Sequence, residues 1–343
     1  MTMMKDNIDF AQLWQAWPIA GPWHLSSLSS GTNNLVWRVE TAASERYVLH
    51  LFPDLGQLPR RRYEAALLRA LSNIALPFRL PLPIKTHNGE DIAFIEHEAE
   101  TPAFAILSPL LPGEHPDRND PTLAFQGGVA MAVLDNTLAS LPEIIAPAGF
   151  EPTLSFGDFV HGHGPVPDPL VAMERLPIER DKVRQIQSIF ASVLEDVDDL
   201  YLHLPQQLLH LDCDPANIFM EDRRVTAIFD FEFAGIDLRV MELCVALSWW
   251  PLYLMGTGKE WEVMDALARA YLAGFPLSEE ELRAIPSVLR LRDVGSLLHR
   301  MGRYFSGLET DITMQKRVEH SLWREEWLVA HREMLLQHTL AWS

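Results

Sequence analysis

The chain has 343 residues, 48% of them apolar, enough for a substantial core and for two domains or lobes. Its 47 acidic residues against 28 basic ones give a net charge of −19, which argues against nucleic acid and anionic membrane as partners, because phosphate surfaces need clustered Lys and Arg. A cationic substrate or a metal–nucleotide complex is compatible with that balance. Two cysteines, Cys213 and Cys244, cannot make a zinc site alone or a disulfide framework. The first residues carry no cleavage signal, and no segment approaches the ~20 apolar residues that span a bilayer. A soluble, cytoplasmic protein is expected.

Residues 8–18 have helical spacing and end at Pro18. "LVWRVE" and "YVLHLF" alternate apolar and polar residues around a small-residue turn at 41–45, which predicts a β-hairpin. The turn-rich loop "SSGTNN" precedes it, and "RRRYEAALLRALS" (60–72) reads as an amphipathic helix. Short strands bounded by prolines are expected over 76–98, and an apolar strand over 103–114, ended by prolines and Gly113. Beyond it the pattern is mostly helical, with helices at 124–141, 180–204, 238–256, 259–274, 278–294 and onward to the C-terminus. Residues 142–170 read as a loop rich in Pro and Gly. Ser278 followed by Glu281 fits a capping box.

The helical part is interrupted by "HLDCDPANIFMEDRRVTAIFDFEFAG" (210–235). "ANIFM" and "VTAIFDF" flank the polar turn "EDRR", so a second hairpin is predicted, with Asp212 and Asn217 at its entrance and Asp230 near its end. A returning hairpin would bring Asp230 towards Asn217. A carboxylate and an amide oxygen meeting there would suit Mg²⁺, a hard cation that takes oxygen ligands. Asp212, five residues before Asn217, could then accept a proton from a hydroxyl aimed at a metal-bound phosphate.

The pattern His-x-Asp-x4-Asn, then a hairpin and a further Asp, resembles the catalytic and metal loops of protein-kinase-like enzymes. More narrowly it resembles the aminoglycoside phosphotransferase and choline kinase superfamily, and within it the branch of homoserine kinase-like and spore-coat kinase-like proteins. That resemblance implies an α+β, protein-kinase-like two-lobe fold. Residues 1–107 would form a small strand-rich nucleotide-binding lobe and 108–343 a large, mainly helical lobe with the substrate site. It gives Asp212 the role of catalytic base, His210 that of a brace for the loop, and Asn217 and Asp230 those of Mg²⁺ ligands. Glu232 matches a second acidic position whose use varies. "SSGTNNLVWRVE" resembles the family's Gly-rich loop, with Gly31 and Asn34 in matching places. Glu64 would be the helix acid that partners a phosphate-clamping cation, and the backbone from Ser108 to Leu110 the hinge that holds adenine. The implied cofactors are ATP and Mg²⁺. The implied acceptor is a hydroxyl of a small molecule, an amino alcohol such as homoserine first and an aminoglycoside-like compound second. The protein would act as a monomer or homodimer without nucleic acid or membrane. The alternative is a catalytically degenerate relative that binds nucleotide as a sensor.

Two positions depart from the family pattern. The five lysines are Lys5, Lys85, Lys182, Lys259 and Lys316, so none lies between 6 and 84, where the clamp belongs, and His50 takes its aligned place. Leu211 stands where Gly is usual, which implies either an ordinary backbone or strain there. Each candidate also has a plain structural reading. Asp212, Asn217 and Asp230 could be turn residues, Glu64 a solvated helix residue, and His50 a partly buried strand histidine. Asp214 reads as a turn former, Cys213 as a small buried hydrophobe, and "HGHG" (161–164) as a surface loop and not a metal site. Trp249 and Trp250 read as core, although Trp249, Trp250 or Tyr253 could line a substrate pocket.

Overall fold

The structure is a computed structural model, and it describes residues 13–28, 35–95, 103–142 and 149–342. The expected Gly-rich loop with Gly31 and Asn34, residues 8–12 of the helix expected at 8–18, and the end of the Pro-bounded region lie outside those residues; of that helix, 13–14 are helical and a turn follows. The chain divides into two compact units. The first comprises Met1–Gly113, Leu141–Pro152 and Thr226–Glu232; the second comprises Glu114–Ser140, Thr153–Val225 and Phe233–Ser343.

The first unit is built on a five-stranded antiparallel sheet. Its strands are β1 (Trp23–Ser27), β2 (Leu35–Thr41), β3 (Arg46–Phe52), β4 (Ala93–Ile95) and β5 (Ala103–Pro109), in the order β1-β2-β3-β5-β4. The alternation in "LVWRVET" becomes a strict alternation of buried and half-exposed side chains along β2. One set of strand residues (Leu35, Trp37, Val39, Leu49, Leu51, Ala105 and Leu107) packs with Trp14 and Trp17 into one apolar cluster. The other set places Phe52 and Phe104 in a second cluster with Leu55 and Leu58, at the start of helix α1 (Leu58–Leu71). Of the short strands expected over 76–98, only β4 forms among the described residues. "LPFRLPLPIK" instead runs without strand structure, because prolines lack the ladder donor. Arg79 alone makes a parallel bridge, to Ala227.

The second unit is mainly helical. Its helices are α2 (Pro121–Ala139), α3 (Phe156–Val160), α4 (Pro169–Glu174), α5 (Arg180–His203), α6 (Arg239–Trp249), α7 (Glu260–Gly274), α8 (Glu279–Phe305) and α9 (Asp311–Ala341). The capping box at Ser278 is present in both directions, and α8 runs on through Pro286 well past its expected end. α3 falls within the expected loop at 142–170, and α4 begins at its end. Each starts on a side-chain cap, Ser155 and Asp168, which compensates for its short length. α2 and α7 approach closely because Gly128 has no side chain: a Cβ there would lie 2.3 Å from the Leu267 carbonyl oxygen. Across the same contact the Tyr271 hydroxyl donates to the buried Asp135 at 2.7 Å. Two further strands, β6 (Gln206–Leu209) and β9 (Gly235–Leu238), pair antiparallel. Between them in sequence lies the hairpin of β7 (Ile218–Glu221) and β8 (Arg224–Ile228). Its turn is made by Asp222 and Arg223, both left-handed at φ 48° and 60°, as a tight hairpin turn demands. Among the described residues no helix is long and apolar enough to cross a membrane.

Candidate active site

In the second unit the segment after β6 carries His210, Asp212 and Asn217. His210 is fully buried, and its Nδ1 accepts from the Asp212 backbone N–H at 3.2 Å and lies 3.7 Å from Cys213 Sγ. Leu211 holds φ 63°, a conformation costly for a branched side chain. Glu242, buried on α6, accepts the Leu211 N–H at 2.7 Å and so secures the strained turn. The absent glycine is thus met by strain, one of the two outcomes the sequence left open. Asp214 caps the 3-10 turn Pro215–Asn217 by accepting from Ala216 N. Asn217 at the end of that turn reaches back, its Nδ2 donating to the Asp212 carbonyl at 2.9 Å and to Asp212 Oδ2 at 2.7 Å. The amide oxygen of Asn217 is thereby turned away from Asp212. Arg118 adds a second tie, donating to Asp214 Oδ1 at 3.2 Å and to the Trp249 carbonyl at 2.8 Å while lying over the Tyr253 ring.

In the first unit the charged residues gather around Arg61. This guanidinium is 5% exposed, donates to Glu64 at 2.8 Å and to Glu232 at 2.5 Å, and stacks over the Phe52 ring at 4.6 Å. Glu64 is therefore neither solvated nor paired with His50. Its partner lies one turn earlier on the same helix. Asp230, left-handed at φ 65°, sits beside this cluster. Burial, then the Glu232 and Glu64 carboxylates, raise its carboxyl to about 8 against the opposing pull of Arg61. Arg61 is pushed up by the same acids. Arg60 also interacts with Glu232 and Glu64, and the three carboxylates beside one another are a donor set that fits a hard divalent cation.

His50 does not replace the missing lysine. Burial, then the nearby Arg61 charge, lower its imidazole to about 4, so it is neutral at physiological pH and cannot act as a cation. Among the described residues the buried cation of this unit is Arg61, which the sequence reading did not single out. The signal was present in "RRRYE", where an Arg stands three residues before Glu64. At the expected hinge Ser108 is buried on β5, opposite Val48. The Leu110 N–H is already donated to the Arg46 carbonyl, which leaves that residue no backbone donor for a base. The "HGHG" loop is more ordered than a surface loop: His163 stacks on Phe159 and bonds the Leu298 carbonyl. Trp250 is core, whereas Trp249 and Tyr253 line a cavity.

Residues 24–284 match the family model described as the phosphotransferase enzyme family. Among curated proteins, the homoserine kinase of Acidiphilium cryptum (strain JF-5) is 25% identical over 314 residues, covering 87% of this chain and 86% of that protein. The homoserine kinase of Phenylobacterium zucineum (strain HLK1) is 26% identical, covering 81% and 79%. Among solved structures, the amicoumacin kinase hAmiN in complex with AMP-PNP, Ca²⁺ and Ami superposes with a TM-score of 0.67 at 13% identity, over 94% of this chain and 96% of that one. A microcompartment-associated aminopropanol kinase gives a TM-score of 0.66 at 17% identity, over 96% and 97%. These structures share the kinase-like α+β fold, with its antiparallel sheet and helical remainder. The chain belongs to the phosphotransferase enzyme family and is a small-molecule kinase.

Proposed function

We propose that the protein is an ATP- and Mg²⁺-dependent kinase that phosphorylates a hydroxyl of a small molecule, homoserine being the first acceptor to test because the similar curated proteins carry that name. The observation that carries this reading is the clasp of Asn217 on Asp212. Two hydrogen bonds from one amide nitrogen fix the carboxylate and leave the amide oxygen of Asn217 uncommitted to Asp212, which supports its proposed use as a ligand. When bound, Mg-ATP supplies the phosphoryl group, whose bond to the departing ADP oxygen breaks as a bond to the acceptor oxygen forms. Asp212 takes the proton that the acceptor hydroxyl loses. Asn217 and Asp230 are the proposed metal ligands, with Glu232 held close to Asp230 in sequence and fixed by Arg61. His210 positions Asp212 through the backbone. Residues 1–107 are proposed to hold the nucleotide and 108–343 the acceptor.

The second reading, a degenerate nucleotide sensor, was motivated by the missing lysine. Arg61 weakens it, because a buried cation paired with Glu64 is present although it comes from the helix. Turnover separates the two. With Mg-ATP and homoserine, phosphorylated product should form and should be lost in Asp212→Asn, while Mg-ATP still raises the Tm of that variant. A nucleotide-induced Tm shift without transfer to any hydroxylated amine would favour the sensor. Unchanged turnover in Asp212→Asn would remove Asp212 from the base role.

A further inference from the structure

A chain with net charge −19 gathers arginines in one place. In the second unit a cavity of about 390 Å³ is lined by Trp249, Tyr253, Arg292, Arg300, Arg317 and Arg324, among others. Asp293 is the one carboxylate on its wall. Asp293 pairs with both Arg292, at 3.0 Å, and Arg324, at 2.6 Å. Behind the wall Glu309 serves Arg300 and Arg303, each at 3.1 Å. Arg317 makes no ion pair among the described residues, and its Nε is buried without a hydrogen-bond partner. Arg292 Nε and Arg324 Nη1 are buried without partners as well, on residues only 7% and 3% exposed. Buried donors without partners are costly, so a structure that keeps several together holds them for a ligand that accepts from them.

The charges press on one another. Burial, then the neighbouring Arg300 and Arg303, lower Arg317, and burial with Arg324 acts in the same direction on Arg292. The cavity is also connected to the catalytic loop. The Asp212 charge acts on Arg292, and Arg118 ties Asp214 to the carbonyl of Trp249, whose ring lies 4.7 Å from the Arg292 guanidinium. The size falls in the range of small-molecule sites, and the two indoles and one phenol on its wall (Trp249, Trp323 and Tyr253) offer flat apolar surface.

We propose that this cavity holds the phosphate acceptor, and that the acceptor is a small hydroxylated organic acid whose carboxylate or phosphate groups the arginines bind. This rests on the phosphotransfer reading above and names its substrate class. Guanidinium forks match carboxylate and phosphate equally, so both sources of charge belong in the test.

The test measures binding by calorimetry to the full chain with Mg²⁺ and a non-hydrolysable ATP analogue. The probes are malate as a hydroxylated dicarboxylate, 3-phosphoglycerate as a phosphate-bearing hydroxy acid, and 1-amino-2-propanol without an acid group. At least one acid should bind at least tenfold more tightly than the amino alcohol. Arg317→Gln should weaken that acid at least tenfold with its urea midpoint unchanged, and Arg317→Lys should recover part of the loss. Which acid binds more tightly distinguishes dicarboxylate from phosphate. Equal binding of 1-amino-2-propanol, no binding of either acid, or an acid affinity indifferent to Arg317→Gln would each overturn the proposal. Transfer from Mg-ATP is then followed with the same compounds. An acid that binds through Arg317 but accepts no phosphate would sink the acceptor role and leave an anion site. Efficient transfer to the amino alcohol, insensitive to Arg317→Gln, would leave the kinase reading standing and remove the anionic acceptor.

Discussion

Arg61 shows why a single side chain can be invisible in sequence and central in structure. It neutralises two carboxylates, Glu64 three residues away and Glu232 171 residues away in sequence. Periodicity located the helix that carries it, and the motif located Glu232. Nothing in either showed that they share one guanidinium, because that pairing is tertiary. Replacing it with Met should therefore leave buried acids uncompensated and cost about 3 kcal/mol, the magnitude seen when one partner of a buried pair is removed. Urea unfolding checks this, and adding Glu232→Gln to Arg61→Met should recover part of the loss. The family pattern suggests the opposite kind of experiment at His50, restoring a lysine. Here an ammonium would be placed beside Arg61 in a site that already holds imidazole neutral, at about 4. His50→Lys is expected to lower both the urea midpoint and the turnover. A gain in either would show that the clamp belongs on β3 after all.

At the scale of elements, long patterns were legible and short ones were not. The α1, α5 and α9 helices and the β2–β3 hairpin follow from spacing that local backbone geometry enforces. The strands β1, β6 and β9 were missed. β6 and β9 have four residues each and pair across an intervening hairpin, so no local signal marks them. The segment 210–217 was legible as a motif, yet its bracing was not, since Glu242 lies 31 residues beyond Leu211. That brace makes Leu211 testable. Leu211→Gly relieves a left-handed strain of about 1–2 kcal/mol but removes a side chain only 4% exposed, a loss of about 3–5 kcal/mol for large-to-small changes. The cavity term wins, so a net loss of roughly 2 kcal/mol is expected in urea even though the family residue is restored. Across α2, α6 and α7, burial raises Asp135 first, with Glu242 adding to it. A carboxyl raised in the folded state binds protons that the unfolded chain has released. Stability therefore falls as pH rises above the unfolded value of about 4. Asp135→Asn keeps an acceptor for Tyr271 and removes the charge, so its urea midpoint should decline less than that of the native chain between pH 5 and 8.

For the whole molecule, net charge describes the surface and misdescribes the interior. The balance of −19 is compatible with a cationic substrate, whereas arginines cluster on α8 and α9, around the cavity and in pairs such as Arg290–Glu325. A sum over the chain carries no position, which is why the cavity could not be read from it. The same separation predicts how salt acts. The excess acids are largely exposed and repel one another through solvent, an interaction that ions screen over roughly 10 Å at 0.1 M. The buried pairs, Arg61 with Glu64 and Glu232 and Arg324 with Asp293, lie at contact distance and away from those ions. Screening therefore removes more repulsion than attraction. Raising NaCl from about 0.02 to about 0.5 M, which shortens the screening length to a few ångströms, should raise the Tm by calorimetry. A Tm that fell with salt would mean that exposed ion pairs, and not the buried ones, carry the favourable electrostatics of this protein.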